Sequence, residues 1–291
     1  MVSANITELL ATYIHALHIL HLHGVLDGYG HLSVRNPDNP PTFFLMGRLA
    51  PALVSSPDDI GEFRVSDAEP VSPGMPQPPI ERYIHSEVLK RYPDVNVVLH
   101  GHSPELFLYS LTDVPLRPWI LDTEVPLFDI FNYLGPDDPQ SILVNTPRLG
   151  AALAAVFDSC PVHSDGNATA TGHCDDQDVA NSDNDNNRFP AHNLVLMQSH
   201  GFTAVATDIK TMTFLGVNAV VQARIQSEAL QIQHAYTGKA ARGHNGIDYL
   251  TPQQVRDGWS AIIPTVERPW QLWVREVQVN PLYENELDAD D

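Results

Sequence analysis

The 291 residues hold 16 lysines and arginines against 36 aspartates and glutamates, a formal charge of −20 at pH 7. Such a charge repels a phosphate backbone or an anionic membrane, so neither nucleic acid nor membrane is expected as a partner. A hydrophobic fraction of 43% is enough for a sizeable core, and residues 1–291 are expected to form one domain with a C-terminal extension over 251–291.

In the opening segment, Leu9, Leu10, Tyr13, Ile14, Leu17 and Leu20 recur at helical spacing before Gly24 and Gly28 punctuate the chain, which predicts an amphipathic helix. The segment has no basic leader and no uninterrupted apolar span, so neither a secretory signal nor a membrane helix is expected, and the expected compartment is the cytoplasm. HLSVRN and TFFLMG, separated by NPDNPP, read as a hairpin, and EFRVSDAEPVS as a further strand and turn. PIERYIHSEVLKRYPD has the marks of a helix: a proline before an acidic first turn, apolar Tyr83, Ile84, Val88 and Leu89, and a stop at Pro93. VNVVLHGH is an apolar strand and SPELFLYSLT a short helix, and the alternation continues with VPLFDIF, a helix near TPRLGAALAAVF, the strand NLVLMQSH and a long helix from 209 to about 236. Interleaved strands and helices predict an α/β layered domain.

Residues 158–188 are rich in Asp, Asn, Ser and Gly and poor in large apolar side chains, which predicts a disordered insertion. Cys160 and Cys174 lie in it, too few and too polar in setting for a thiolate cluster or a disulfide framework. The glycosylation-like triplet at Asn167 is read as empty without a secretory signal. At the C-terminus, Thr251-Pro252 marks a helix start, and the tryptophans beyond it predict a helix or helix pair packed on the body or on a neighbouring subunit.

The chemistry is concentrated in a few residues. His100 and His102 stand two apart at the end of an apolar strand, so both imidazoles project to one side and can reach one ion. His200 ends a second apolar strand ahead of Gly201. Three neutral imidazoles leave coordination positions open for water or substrate, as a catalytic ion requires. Glu81 sits in a first helical turn, where the helix dipole alone favours a carboxylate and where it can also serve as an acid/base beside a metal.

The order E-x(3)-H, then H-x-H on a strand, then Q-x-H-G before a long helix resembles the class II aldolase/adducin family from the opening helix to about residue 236. That resemblance implies a three-layer α/β/α domain with a central, mainly antiparallel sheet. It also implies a homotetramer with active sites at subunit contacts, a divalent ion on His100, His102 and His200, and Glu81 as the catalytic acid/base. Zinc is favoured for the ion, ahead of manganese, iron or magnesium.

Three stretches depart from the family's phosphate-binding pattern: Gly30-His31-Leu32-Ser33, Arg48-Leu49-Ala50-Pro51, and Pro79-Ile80 before Glu81. Proline offers no N–H and isoleucine no hydroxyl, so a non-phosphorylated, carboxylate-bearing small molecule is expected as substrate. His31, Ser33, Arg35 and Arg48 replace the phosphate cradle, and His85, one helical turn from Glu81, can face the same cleft. The altered pattern is similar to the branch that contains decarboxylases of hydroxyaromatic or oxo acids. The expected function is a metal-dependent carbon–carbon lyase, decarboxylation ahead of aldol cleavage, working through a metal-stabilised enolate, with His31 or an arginine anchoring the acid. The alternatives are a non-haem iron oxygenase on the same histidines and, last, a non-catalytic adducin-like module.

Overall fold

The computed structural model describes residues 4–119, 121, 125–158, 188–238 and 247–288. The insertion read over 158–188, with both cysteines and the Asn167 triplet, falls outside these residues apart from Asp158 and Arg188. Among the described residues seven strands are formed: β1 (His31–Arg35), β2 (Thr42–Met46), β3 (Ile60–Arg64), β4 (Val97–Gly101), β5 (Leu127–Phe128), β6 (Leu194–Met197) and β7 (Gly201–Ala206). They build one sheet in the order β3-β2-β1-β4-β7-β6-β5, antiparallel throughout except for the parallel β5–β6 pair. The expected β1–β2 hairpin is present, and its turn is organised by Asn36, whose side-chain oxygen accepts from the backbone N–H groups of Asp38 and Asn39.

The helices are α1 (Ala4–Leu22), α2 (Arg82–Arg91), α3 (Pro104–Ser110), α4 (Pro147–Val156), α5 (Ile209–Thr237), α6 (Pro252–Ile262) and α7 (Glu267–Gln278). Their starts follow from capping chemistry: Thr146, Asp208 and Thr251 each accept a backbone N–H from the first turn, and Pro147 and Pro252 occupy positions where no N–H is needed. Gly238 closes α5 in the left-handed conformation, φ 65°.

Alternation along β1 and β4 divides the sheet into two faces. Leu32 and Leu99 belong to the face covered by α1 and α5, where Gly216 of α5 lies against Leu20, Val25 and Leu99. His31, Ser33 and His100 belong to the other face, reached by His85 of α2. α4 in turn packs on α2, and the result is the three-layer arrangement expected for the class II aldolase fold. α7 packs on α1 and α5 with Trp270 and Trp273 buried, so these tryptophans serve the body of the chain.

The strand expected to end at His200 stops at Met197. Residues 198–200 form a turn with Ser199 at φ 55°, and Gly201 opens β7, a strand that sequence patterning did not separate from its neighbour. α4 approaches α2 so closely at Gly150 that an added Cβ would overlap the Tyr83 carbonyl. Gly150→Ala is therefore expected to lower stability by about 1–3 kcal/mol through overpacking, read as a fall in the urea midpoint at unchanged slope. Among the described residues, no helix is long and apolar enough to cross a membrane.

Candidate metal centre and active site

Three elements deliver four donors to one point. His100 lies in β4 and His102 just past its end, while His200 sits in the turn before β7, which pairs with β4 so that Gly101 is opposite Phe202. Glu81 occupies the N-cap position of α2, one residue ahead of its first turn, and its side chain makes no capping hydrogen bond. A Cβ on Gly201 would overlap the Gly101 carbonyl, so glycine there is what allows the ligand-bearing segments to approach. One donor atom from each of Glu81, His100, His102 and His200 lies within 4.8 Å of all the others. Glu81 is buried; its Oε1 accepts the Val144 N–H at 2.8 Å, and its Oε2 faces Nε2 of His200 at 3.4 Å and of His100 at 3.6 Å.

The proton positions of two imidazoles follow from their partners. His100 Nδ1 faces the Phe202 carbonyl at 2.9 Å, and His102 Nδ1 faces an Asp27 carboxylate oxygen at 3.1 Å. Both partners are pure acceptors, so each Nδ1 carries the hydrogen and each Nε2 presents a lone pair. The two Nε2 atoms then face one another at 3.1 Å, which is repulsive unless a cation lies against both. Burial and the neighbouring imidazoles push the His100 pKa well below its ordinary value, so that cation is poorly supplied by a proton. The donor set therefore fits a divalent metal ion. The hydrogen bond from His102 holds the Asp27 carboxyl well below the usual range, reinforced by the Tyr29 and Gly30 N–H groups, so Asp27 stays ionised.

A second histidine group adjoins the first. His31 is directly opposite His100 across β1 and β4, with ring centroids 5.0 Å apart. His31 Nδ1 and His85 Nε2 are 2.7 Å apart, and His85 Nδ1 lies 2.7 Å from Ser33 Oγ. Ser33 and His85 are completely buried, and their contacts run from Ser33 through His85 to His31.

The structure sets Arg35 apart from this group. It lies at the opposite end of β1, four residues from His31 or about 13 Å along the strand, and its guanidinium donates to the carbonyls of Pro40, Leu89, Tyr92 and Val95. Its expected part in substrate binding gives way to joining β1 to the end of α2. Arg48 is exposed and donates to the Pro78 carbonyl, on the segment leading into Glu81. Asp27 was not singled out from the sequence; the only signal was an acid between glycines in HGVLDGYG, close to the first histidine.

Residues 11–227 match the family model described as Class II Aldolase and Adducin N-terminal domain. The chain belongs to this family and is a lyase. A relative from Talaromyces stipitatus, named Decarboxylase tropJ, is 39% identical over 282 residues, covering 94% of this chain and 96% of that protein. A 3,4-dihydroxyphthalate decarboxylase of Arthrobacter keyseri is 27% identical over 154 residues, 50% of this chain and 61% of that protein. Among solved structures, an aldolase II superfamily protein from Pseudomonas syringae superposes with a TM-score of 0.66 at 16% identity, covering 99% of this chain and 98% of that one. At 16% identity that likeness speaks to the fold alone.

Proposed function

We propose that this protein is a metal-dependent decarboxylase of a non-phosphorylated hydroxyaromatic or oxo acid. The observation that carries the reading is the pair of opposed Nε2 lone pairs of His100 and His102, closed in by His200 and Glu81, in a chain whose relatives are named as decarboxylases. A divalent ion, with zinc favoured, would be held by His100, His102 and His200 and would supply an electron sink for the pair released when the carbon–carbon bond breaks.

The chain's own groups account for the rest. Asp27 and the Phe202 carbonyl fix two of the imidazoles in the tautomer that leaves Nε2 free. Glu81, oriented by the Val144 N–H, holds the proton that the substrate carbon takes up once CO2 has left. Arg48 is the residue proposed to meet the substrate carboxylate, and its hydrogen bond to the Pro78 carbonyl, on the segment entering Glu81, supports that role. Proline and isoleucine at 79 and 80 support the choice of a non-phosphorylated substrate, since they remove an N–H and a hydroxyl from the approach to Glu81. Assembly as a cytoplasmic homotetramer belongs to the same proposal and rests on family membership.

The test is CO2 release from a panel of hydroxybenzoic and oxo acids, using zinc-loaded protein beside chelator-treated protein. The expected result is metal-dependent CO2 release, with one solvent deuteron at the vacated carbon when the reaction is run in D2O. An aldehyde product without CO2, or turnover that consumes O2, would sink the reading. Asp27→Asn, which weakens the hold on the His102 tautomer, is expected to reduce zinc affinity about 10–100-fold in a chelator competition.

A further inference from the structure

The chain's scarce positive charge gathers at a place the metal centre does not use. A groove of about 690 Å³ opens at the end of β1 away from His31; Arg35, Arg64, Lys90 and Arg188 line it, and no acidic residue does. These are four of the 16 basic side chains in a protein of charge −20. Strand register brings two of them together: Arg35 is opposite Phe43 and Arg64 opposite Thr42, so the ends of β1, β2 and β3 coincide. Lys90 comes from the last turn of α2, and the Asp94 N–H donates to the Arg188 carbonyl, which holds that residue beside the loop after the helix. Pro40, Pro41, Val65 and Pro93 form apolar wall between the charges. A concave, largely apolar space of this size with a few convergent charges has the form of a small-molecule site.

The structural duties of these cations leave capacity over. Arg64 pairs through Nε with Asp67 and gives Nη1 to the Pro70 carbonyl, so Nη2 has no hydrogen bond among the described residues. Lys90 Nζ stands 3.3 Å from Glu87 and 3.4 Å from the Ser66 carbonyl, both long contacts. Surface pairs of this kind contribute little and exchange readily for a ligand.

Arg35 differs from its neighbours. It is half-buried, yet its guanidinium donates only to backbone carbonyls, which satisfy N–H groups without neutralising the charge. Asp94, the acid whose field reaches Arg35, is already paired with Arg188 at 2.8 Å. One carboxylate between two guanidinium groups leaves a positive charge uncompensated, and the groove is where that charge is felt.

We propose that this groove is a second ligand site, which binds an organic anion with an apolar body. The anionic head meets Arg64 Nη2 and Lys90 Nζ, the body covers the prolines, and Arg35 contributes positive potential while keeping its carbonyl contacts. A bare inorganic ion would leave the apolar wall uncovered, and a neutral ring would leave the charge uncompensated, so the groove favours a molecule with both parts. Carboxylate and phosphoryl heads suit the same donors. The site is separate from the metal centre and does not depend on the reaction proposed there.

The test is calorimetric titration of zinc-loaded protein with 2-naphthoate, 2-naphthyl phosphate, the neutral 2-naphthamide and inorganic phosphate. The parent is expected to bind at least one naphthyl anion about tenfold more tightly than either naphthamide or inorganic phosphate, and the tighter of the two anions identifies the head group. Arg64→Gln/Lys90→Gln is expected to weaken that binding about tenfold or more at an unchanged melting temperature, since both side chains project partly into solvent. Arg188→Gln, on a separate segment, should weaken it in the same direction and keeps the test decisive if the double variant folds poorly.

Equal binding of the anion by the parent and by these variants overturns the proposal and places the anion elsewhere, at the metal centre first of all. Naphthamide or inorganic phosphate matching the tighter naphthyl anion also overturns it, because apolar adhesion or a bare ion then accounts for the binding. Turnover enters none of these readouts, so absence of CO2 release counts against the proposed reaction alone.

Discussion

His100→Ala/His102→Ala is expected to abolish stoichiometric metal binding and to lower turnover by about three orders of magnitude, equivalent to about 4 kcal/mol of transition-state stabilisation. Both side chains are held from behind, by the Phe202 carbonyl and by Asp27, so their Nε2 atoms have no direction to face but each other. In the metal-free protein this opposition is unfavourable, and removing both rings relieves it. The double variant should therefore keep the metal-free protein's melting temperature within a few degrees while losing the upward shift that zinc gives the parent. Elemental analysis beside thermal melts checks both statements. One equivalent of tightly held metal in the variant would place the ion elsewhere.

Glu81→Gln carries the second large effect. The amide keeps the size of the carboxyl and can still accept the Val144 N–H, but it cannot hold and release a proton. The expected result is a fall in kcat of about 10²–10⁴-fold, with KM little changed and metal retained on the three histidines. Solvent deuterium appearing in product at the parent's rate would show that another group delivers the proton. Loss of metal together with activity would make Glu81 a permanent ligand. The position of Glu81 favours the first outcome, since its Oε2 stands 3.4 and 3.6 Å from two imidazole nitrogens while Oε1 is fixed by the backbone.

Much of this site was legible in the sequence because its donors follow local rules. Two histidines separated by one residue at a strand end must project together, and a carboxylate at a helix start satisfies the helix dipole. The hairpin was readable from its Asn/Pro turn, and the starts of α4 and α6 from Thr-Pro. Other features are set by tertiary pairing. β7 begins at a glycine directly after a turn and is buried along its whole length, so no alternation separates it from the preceding apolar run. β5 falls in the run VPLFDIF that the sequence picks out, but its limit to two residues is set by its pairing with β6.

The strand directions were equally closed to alternation of elements, since parallel and antiparallel sheets share it; the family resemblance supplied the antiparallel expectation. Asp27 and the Phe202 carbonyl orient two histidines from behind, and a backbone oxygen leaves no trace in residue identity. Arg35 shows the converse. Its charge pointed to an anionic ligand, but four carbonyl groups at the far end of β1 already occupy its donors.

The three histidines come from widely separated parts of the chain, His100 and His102 at the end of β4 on one side and His200, beyond α4 and residues 159–187, on the other. An ion that joins them acts as a cross-link across a long loop, and it binds the folded chain in preference to the unfolded one. The folded fraction is then tied by mass action to free metal, rising with the logarithm of its concentration above the dissociation constant. Under metal scarcity the first observable change should be faster proteolytic turnover of the polypeptide, so that its abundance in the cell tracks metal supply before any effect on the specific activity of the surviving molecules.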